Sequence, residues 1–253
     1  MLVISSRSNP IVHEAINLKD KKYIREKSLC LVESEKIVSE LNEQHKITTI
    51  IVQNDKVDKF KHILDSFDGQ IVYVTSGICE YIADSTTPSG IFGFAKISFN
   101  NTDIVSGNAI ILDNLQDPGN FGSIVRSAYA FNFKDIFLID SVFPYSFKVI
   151  RASMGYVFNV RIHDITYNDL KRLKHENDLH LIVADMDGVP VEQCNFDDKK
   201  VALVIGNEGN GISKTIKEMK FDTVSIPMQN NVESLNASIS ASILMHYISN
   251  KEN

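Results

Sequence analysis

The 253 residues are 43% hydrophobic and 23% charged, the balance of an ordinary globular chain long enough for two modest domains. The net charge of −6 excludes a protein that coats nucleic acid by bulk electrostatics, since such binders carry a strong basic excess. No apolar run approaches the roughly 20 residues of a membrane span, the first seven residues turn polar too soon for a secretory signal, and Cys30, Cys79 and Cys194 have neither zinc-site nor disulfide-framework spacing, so the expectation is a cytoplasmic protein with structural thiols and no metal.

Residues 1–97 alternate short apolar strands with polar helical stretches and read as a small α/β domain. Its one dense basic stretch is Lys19, Lys21, Lys22, Arg25 and Lys27, interleaved with Tyr23. Such a stretch fits a solvated helix face, and it equally fits phosphate contact with base stacking on the tyrosine. Strands are expected over 29–32, 49–52 and 70–74, and a helix over 34–41, where Ile37, Val38 and Leu41 have helical spacing. Residues 98–107 turn polar and helix-breaking and read as a linker.

From residue 108 to 253 the pattern changes. The runs 109–112, 136–139, 181–184 and 201–205 are continuously apolar, as strands covered on both faces are. They predict a mostly parallel sheet with helices on both sides. Ligands of such sheets bind outside the carboxyl ends of the strands, which directs attention to three turns.

The first turn, Asp113-Asn114-Leu115-Gln116-Asp117-Pro118-Gly119-Asn120, leads into a helix with Asn120 as its expected cap. Phe121, Ile124, Val125, Ala128 and Phe131 make its apolar stripe. Arg126 falls on the opposite face, with Gly122 one turn before it, so a ligand is expected to approach closely there. An arginine so placed is also simply solvated in many helices. The second turn, Gly206-Asn207-Glu208-Gly209-Asn210-Gly211, has G-x-x-G-x-G spacing, which is not the dinucleotide G-x-G-x-x-G, and no Lys-Ser or Lys-Thr follows as in a phosphate loop. That spacing disfavours a dehydrogenase or an NTPase. The third turn starts after Val224-Ser225-Ile226 with Pro227-Met228 and runs to Asn236; Ser234 and Asn236 bracket a helix carrying Leu235, Ile239, Ile243 and Tyr247 at four-residue spacing.

In this order the turns resemble the three signature motifs of the SpoU-type, TrmH-like branch of the SPOUT RNA methyltransferases. The matching stretches are Asp117-Pro118-Gly119-Asn120-Phe121-Gly122-Ser123-Ile124-Val125-Arg126, Ile205-Gly206-Asn207-Glu208-Gly209-Asn210-Gly211-Ile212, and Ile226-Pro227-Met228 with Ser234-Leu235-Asn236-Ala237-Ser238. Lys148-Val149-Ile150-Arg151 up to Gly155 is similar to a further family segment, and Arg25 to Leu41 with Thr87-Pro88-Ser89-Gly90-Ile91 resembles the family's ribosomal-protein-like substrate-binding module. Ser34 and Asn132 stand where glycines are usual, and both residue types tolerate left-handed backbone better than most.

The resemblance implies a trefoil-knotted domain over 108–253, acting as a homodimer on RNA with S-adenosylmethionine as cofactor. It implies contacts to the cofactor from Gly206, Ile226 and Leu235, with Met228 and Asn207 nearby. It implies a reactive cluster of Asn120, Arg126, Glu208, Ser234 and Asn236, with Asn120 orienting Arg126. The implied acceptor is a ribose 2′-hydroxyl, and the attached first domain favours 23S ribosomal RNA over transfer RNA, with Lys21, Lys22, Arg25 and Arg151 as candidate RNA contacts. The alternatives are a catalytically silent knotted RNA-binding or ribosome-assembly protein, or the same chemistry on transfer RNA. A guanidinium with a pKa above about 12 is a poor base, so Arg126 is read as a phosphate-binding and charge-stabilising group, with Glu208 or water receiving the proton.

Overall fold

The computed structural model of the protein describes residues 2–99, 105–196, 200–230 and 233–250. Two units cluster separately: one runs to Ser98 and includes Tyr145–Arg151, and the other comprises Phe99–Pro144 and the chain from Ala152. Residues 100–104 of the expected linker lie outside the described residues.

In the first unit, β1 (Val3–Ile4), β2 (Leu29–Glu33), β3 (Ile47–Gln53), β4 (Gln70–Val74) and β5 (Ile91–Lys96) form a mixed sheet in the order β1-β4-β3-β5-β2. The helices are α1 (Pro10–Asn17), α2 (Lys21–Lys27), α3 (Glu35–Glu43), α4 (Lys61–Leu64) and α5 (Ser76–Ile82). β5 carries no clear signal in the sequence because Gly93 interrupts it. The glycine serves packing: a Cβ there would lie 2.8 Å from the Ile47 side chain on the neighbouring strand. Ile51, Val72, Phe92 and Phe94 of the sheet share a core with Val12 of α1 and Ile78 of α5. Cys30 and Cys79 are buried in this unit, and burial pushes both thiols up, Cys79 to about 12, as structural thiols require.

Ser34 departs from the expectation attached to it. It caps α3, accepting from the Ile37 amide at 3.2 Å, but its φ of 119° and ψ of 144° lie outside the left-handed helical well, in backbone space open almost only to glycine. Asn132, at φ 63°, does adopt the left-handed conformation asparagine tolerates.

The second unit is built on β6 (Ala109–Asp113), β7 (Asp135–Ile139), β8 (Arg161–Asp164), β9 (Leu179–Pro190), β10 (Lys200–Ile205) and β11 (Asp222–Ser225). They form one six-stranded sheet in the order β11-β9-β10-β6-β7-β8, parallel at every pairing. Its helices are α6 (Pro118–Ala130), α8 (Tyr167–Asn177), α9 (Lys214–Glu218) and α10 (Ala237–Asn250), while α7 (Phe147–Ala152) belongs to the first unit up to Arg151. Ile111, Phe137, Val183 and Val204 share a core with Leu170 and Leu173 of α8 and Ile216 of α9. The alternate residues Ile110, Ile136, Ile182 and Leu203 are just as buried, so the sheet is covered on both faces and its continuous apolar runs are explained.

β8 escapes a reading by hydrophobicity because Arg161 and His163 both turn to Asp135 on β7. Asp135 is wholly buried and accepts from Arg161 Nε at 2.7 Å, while His163 Nε2 lies 2.9 Å from its Oδ1. The four-residue stripe of Ile239 and Ile243 is not the buried face of α10. The helix buries Ala241, Leu244, Met245 and Ile248, and leaves Ile239 51% and Ile243 38% exposed.

Candidate active site

The chain reverses direction across the sheet between β6 and β10. β7 and β8 extend one side, β9 and β11 the other, and Leu112 of β6 stands opposite Ile205 of β10. The turns leaving the carboxyl ends of these two neighbours are therefore held together, at the kind of switch point where parallel sheets bind ligands.

In the first turn Asp117, not Asn120, caps α6. Pro118 opens the helix, and the Asp117 carboxylate accepts the Asn120 amide at 2.7 Å. Asn120 lies inside the first helical turn, so its side chain is released from capping and reaches across the site. Gly122 also has a different task from the one expected: a Cβ there would collide with Ala152 and the Ser153 backbone. Its space is filled by packing and is not open to a ligand.

The second turn folds on itself. Asn207 and Gly211 exchange backbone hydrogen bonds, both 2.9 Å, with Gly211 at φ +64°, and a Cβ on Gly206 would run into the Gly211 backbone. The Asn207 side chain accepts from the Gly209 and Asn210 amides at 2.9 Å and donates to the Asn114 carbonyl of the first turn at 2.8 Å.

Glu208 fastens the two turns. Its Oε1 accepts from the Asp117 amide at 3.0 Å and from Asn120 Nδ2 at 3.1 Å, and its Oε2 accepts from the Gln116 amide at 3.3 Å. Partial burial works to raise its pKa, but the hydrogen bonds from Asn120 and from backbone amides outweigh it and hold the carboxyl below its ordinary value. Asn236 joins from the third turn, donating from Nδ2 to Asn120 Oδ1 at 2.9 Å, while its own Oδ1 accepts the Ser238 amide at 2.9 Å and caps α10. Glu208, Asn120 and Asn236 thus make one hydrogen-bonded chain through all three turns.

A cavity of about 420 Å³ opens beside this chain at the ends of β9, β10 and β11. Gly206, Asn207, Glu208, Ile226, Met228, Ser234 and Leu235 line it, together with residues for which the sequence offered no motif, among them Asp185, Asp187 and Lys217. Arg126, Asn120 and Asn236 are not part of its lining. Arg126 is exposed on α6 and makes no hydrogen bond or ion pair among the described residues; Asn120 does not touch it by a hydrogen bond. Asp113, at the end of β6, is fully buried, accepting from Tyr167 Oη at 2.9 Å and from the Ser213 amide at 2.8 Å. A carboxylate closing an otherwise apolar strand is the signal that could have singled it out.

In the first unit Lys21, Lys22 and Arg25 are exposed on α2, as is Arg151 on α7. Tyr23 is less available than its place among them suggests. It packs against the core, bonds Glu14 through its hydroxyl at 2.5 Å, and has Lys27 over its ring at 5.5 Å.

Residues 107–246 match the SpoU rRNA Methylase family, and residues 9–93 match the MRM3-like substrate binding domain. A 23S rRNA (adenosine(1067)-2′-O)-methyltransferase of Streptomyces laurentii is 33% identical over 163 residues, 62% of this chain, and the match spans 60% of that relative's own length. In structure the chain is similar to a TrmH-family chain from Porphyromonas gingivalis, with 25% identity and a TM-score of 0.84 over 98% of each chain. It is likewise similar in fold to an AdoMet-bound rRNA methyltransferase from Sinorhizobium meliloti, with 24% identity and a TM-score of 0.86 over 98% of this chain and 97% of that one. The mixed sheet of the first unit and the parallel six-stranded sheet of the second are those of the SpoU fold, which is of the knotted class. With its motifs gathered at one switch point and more than half of its length matched, the chain belongs to the SpoU rRNA methylase family.

Proposed function

We propose that the chain transfers a methyl group from S-adenosylmethionine to a ribose 2′-hydroxyl of RNA, with 23S ribosomal RNA as the first substrate to test. The observation that carries this is the cavity, in which all five residues expected at the cofactor meet: Gly206, Asn207, Ile226, Met228 and Leu235. Its volume falls within the range of about 300–1,000 Å³ typical of small-molecule sites. Apolar Ile205, Ile212 and Leu235 suit an adenine ring, and the turn backbone supplies polar groups at its edge. The residues therefore fit the cofactor, which when bound supplies an electrophilic methyl on a sulfonium.

The chain's own part is to bind, orient and stabilise charge. Gly206 and Gly211 shape the turn that walls the cavity. Glu208 acts as a clasp: its oxygens already accept three N–H donors and its pKa is depressed, so water is the better receiver of the hydroxyl proton. Arg126 binds the phosphate beside the reacting ribose and stabilises charge developing on the attacking oxygen. Asn120 and Asn236 hold the first and third turns in register, and Ser234 meets substrate at the cavity mouth. Lys21, Lys22, Arg25 and Arg151 contact RNA phosphates, and the unit over residues 1–97 serves as the substrate-binding domain of a cytoplasmic enzyme.

The active form is a homodimer. Its support is the exposed pair Ile239 and Ile243 on α10, an apolar stripe on a helix packed against α6. Sedimentation of the native chain and of an Ile239→Asp, Ile243→Asp double variant checks this.

Transfer of tritiated methyl from S-adenosylmethionine to ribosomal and transfer RNA, with mapping of 2′-O-methyl positions, tests the activity. Labelled ribose in 23S RNA is expected. Binding of RNA without any transfer would replace this reading with the silent RNA-binding one.

A further inference from the structure

Asp113 is a buried ionisable group that the proposed chemistry does not use. It ends β6 and opens the first turn, yet its Oδ2 accepts the amide of Ser213 at 2.8 Å, directly after the second turn and Ile212. Its Oδ1 is held by the Tyr167 hydroxyl, 2.9 Å away at the start of α8. Both carboxylate oxygens are engaged and the residue has no exposed surface. Ser213 is also the N-cap of α9, accepting the Ile216 amide at 3.4 Å, so the bond from Asp113 anchors the point where the glycine turn becomes helix.

The consequences reach the cavity. Gly211 and Ile212, the residues just before Ser213, line it, and α9 carries Lys217 to its edge. Glu208 ties the outer tip of the second turn to the first turn, and Asp113 ties its inner exit to the stem of the first turn. The turn is therefore held by one carboxylate at its tip and by another at its exit.

We infer that Asp113, oriented by Tyr167, is a positioning residue that sets the cofactor-facing geometry of the second turn through the Ser213 amide. This rests on the reading of the cavity as a cofactor site. Asparagine has the right shape to preserve the arrangement: its carbonyl can accept from Ser213 while its NH₂ donates to the Tyr167 oxygen. Alanine preserves neither bond and leaves the Ser213 amide without its acceptor.

The test compares wild type, Asp113→Ala, Asp113→Asn and Tyr167→Phe as full-length chains. Calorimetry with S-adenosylmethionine measures cofactor affinity, steady-state assays give separate KM values for cofactor and RNA, and amide exchange follows Ser213 without any ligand. Asp113→Ala is expected to weaken cofactor binding about tenfold or more, to leave the KM for RNA within about threefold and to expose the Ser213 amide to exchange. Asp113→Asn is expected to restore binding to within about threefold of wild type. Tyr167→Phe, which removes only a hydroxyl, is expected to speed exchange at Ser213 and provides the measurement if the alanine variant does not fold.

Absence of cofactor binding by the wild type would overturn the reading of the cavity, and this inference with it. Wild-type binding together with unchanged affinity in a folded Asp113→Ala chain, or with unchanged Ser213 exchange in Tyr167→Phe, would overturn this inference alone. So would an equal rise in the KM for cofactor and for RNA, which marks a general structural role.

Discussion

The side-chain amide of Asn120 and the carboxylate of Glu208, 88 positions apart in the chain, meet at 3.1 Å and join the turn after β6 to the turn after β10. With the Gln116 and Asp117 amides, this contact holds the Glu208 carboxylate between the two turns. Glu208→Gln offers a single oxygen to three donors, so at least one N–H then faces an NH₂ group. Transfer is expected to fall about 10- to 100-fold, with the cost of one mispaired donor, about 1–3 kcal/mol, as its source. The folded-state pKa of Glu208 is depressed, so its contribution is present above the unfolded value and lost as pH falls through the folded one. The acid dependence of stability, measured by melting from neutral pH downward, should flatten in the glutamine variant. A proton acceptor would instead show its effect in the pH dependence of kcat.

Arg126 is exposed and makes no hydrogen bond or ion pair among the described residues. Arg126→Ala is expected to lower kcat by roughly 10²–10³, the effect of losing one group that stabilises transition-state charge, while melting temperature and cofactor affinity stay unchanged. Parallel loss of cofactor binding would assign it a structural role. Arg126→Lys keeps the charge but loses bidentate phosphate recognition and should recover only part of the rate.

Asp135 carries the ionic pairing of β7 and β8. Burial opposes its ionised form, yet the hydrogen bonds and charges of His163 and Arg161 prevail and hold its pKa below the usual carboxylate value. Its stabilising contribution is complete above the unfolded pKa and disappears as pH falls through the folded one, which makes acid unfolding of the second unit sensitive to it. Asp135→Asn breaks a buried charge cluster and should cost about 3–5 kcal/mol. Melting curves between neutral and acid pH should show a lower midpoint and a weaker dependence on acid than wild type.

Ser34 holds a backbone conformation that suits glycine. Ser34→Gly is expected to stabilise the first unit, because relief of about 1–3 kcal/mol of strain exceeds the few tenths of a kcal/mol lost with the cap. Ser34→Ala keeps the strain and loses the cap, so it should destabilise. Thermal melting of both variants separates the two contributions, and a glycine variant no more stable than wild type would show the strain to be small.

Several features were legible in the chain because they are local. The continuous apolar runs at 109–112, 136–139, 181–184 and 201–205 became central parallel strands, since a strand covered on both faces has no room for polar side chains. The three turns announced themselves by glycine, proline and capping residues, and their order carried the family resemblance. Their meeting at one site followed from the rule that parallel sheets bind ligands at strand ends. Local reasoning failed where the decisive neighbour is distant in sequence. β8 is a strand because Arg161 and His163 answer Asp135, and Gly122 is glycine because Ala152 and Ser153 press on it.

By itself the sequence determined that there are two α/β units, where the three motif-bearing turns lie, and which family they resemble, because hydrophobic periodicity and turn chemistry are properties of neighbouring residues. Only the tertiary structure decided what the polar groups in those turns do. Asn120 has the composition of a cap and is instead a bridge, because Asp117 takes the cap and frees its amide for Glu208 and Asn236. Glu208 carries a carboxylate whose partners the sequence leaves open, and the β6–β10 pairing delivers three N–H donors to its oxygens. The pairing of distant strands sets the partners of a side chain, and the partners set its protonation and its role.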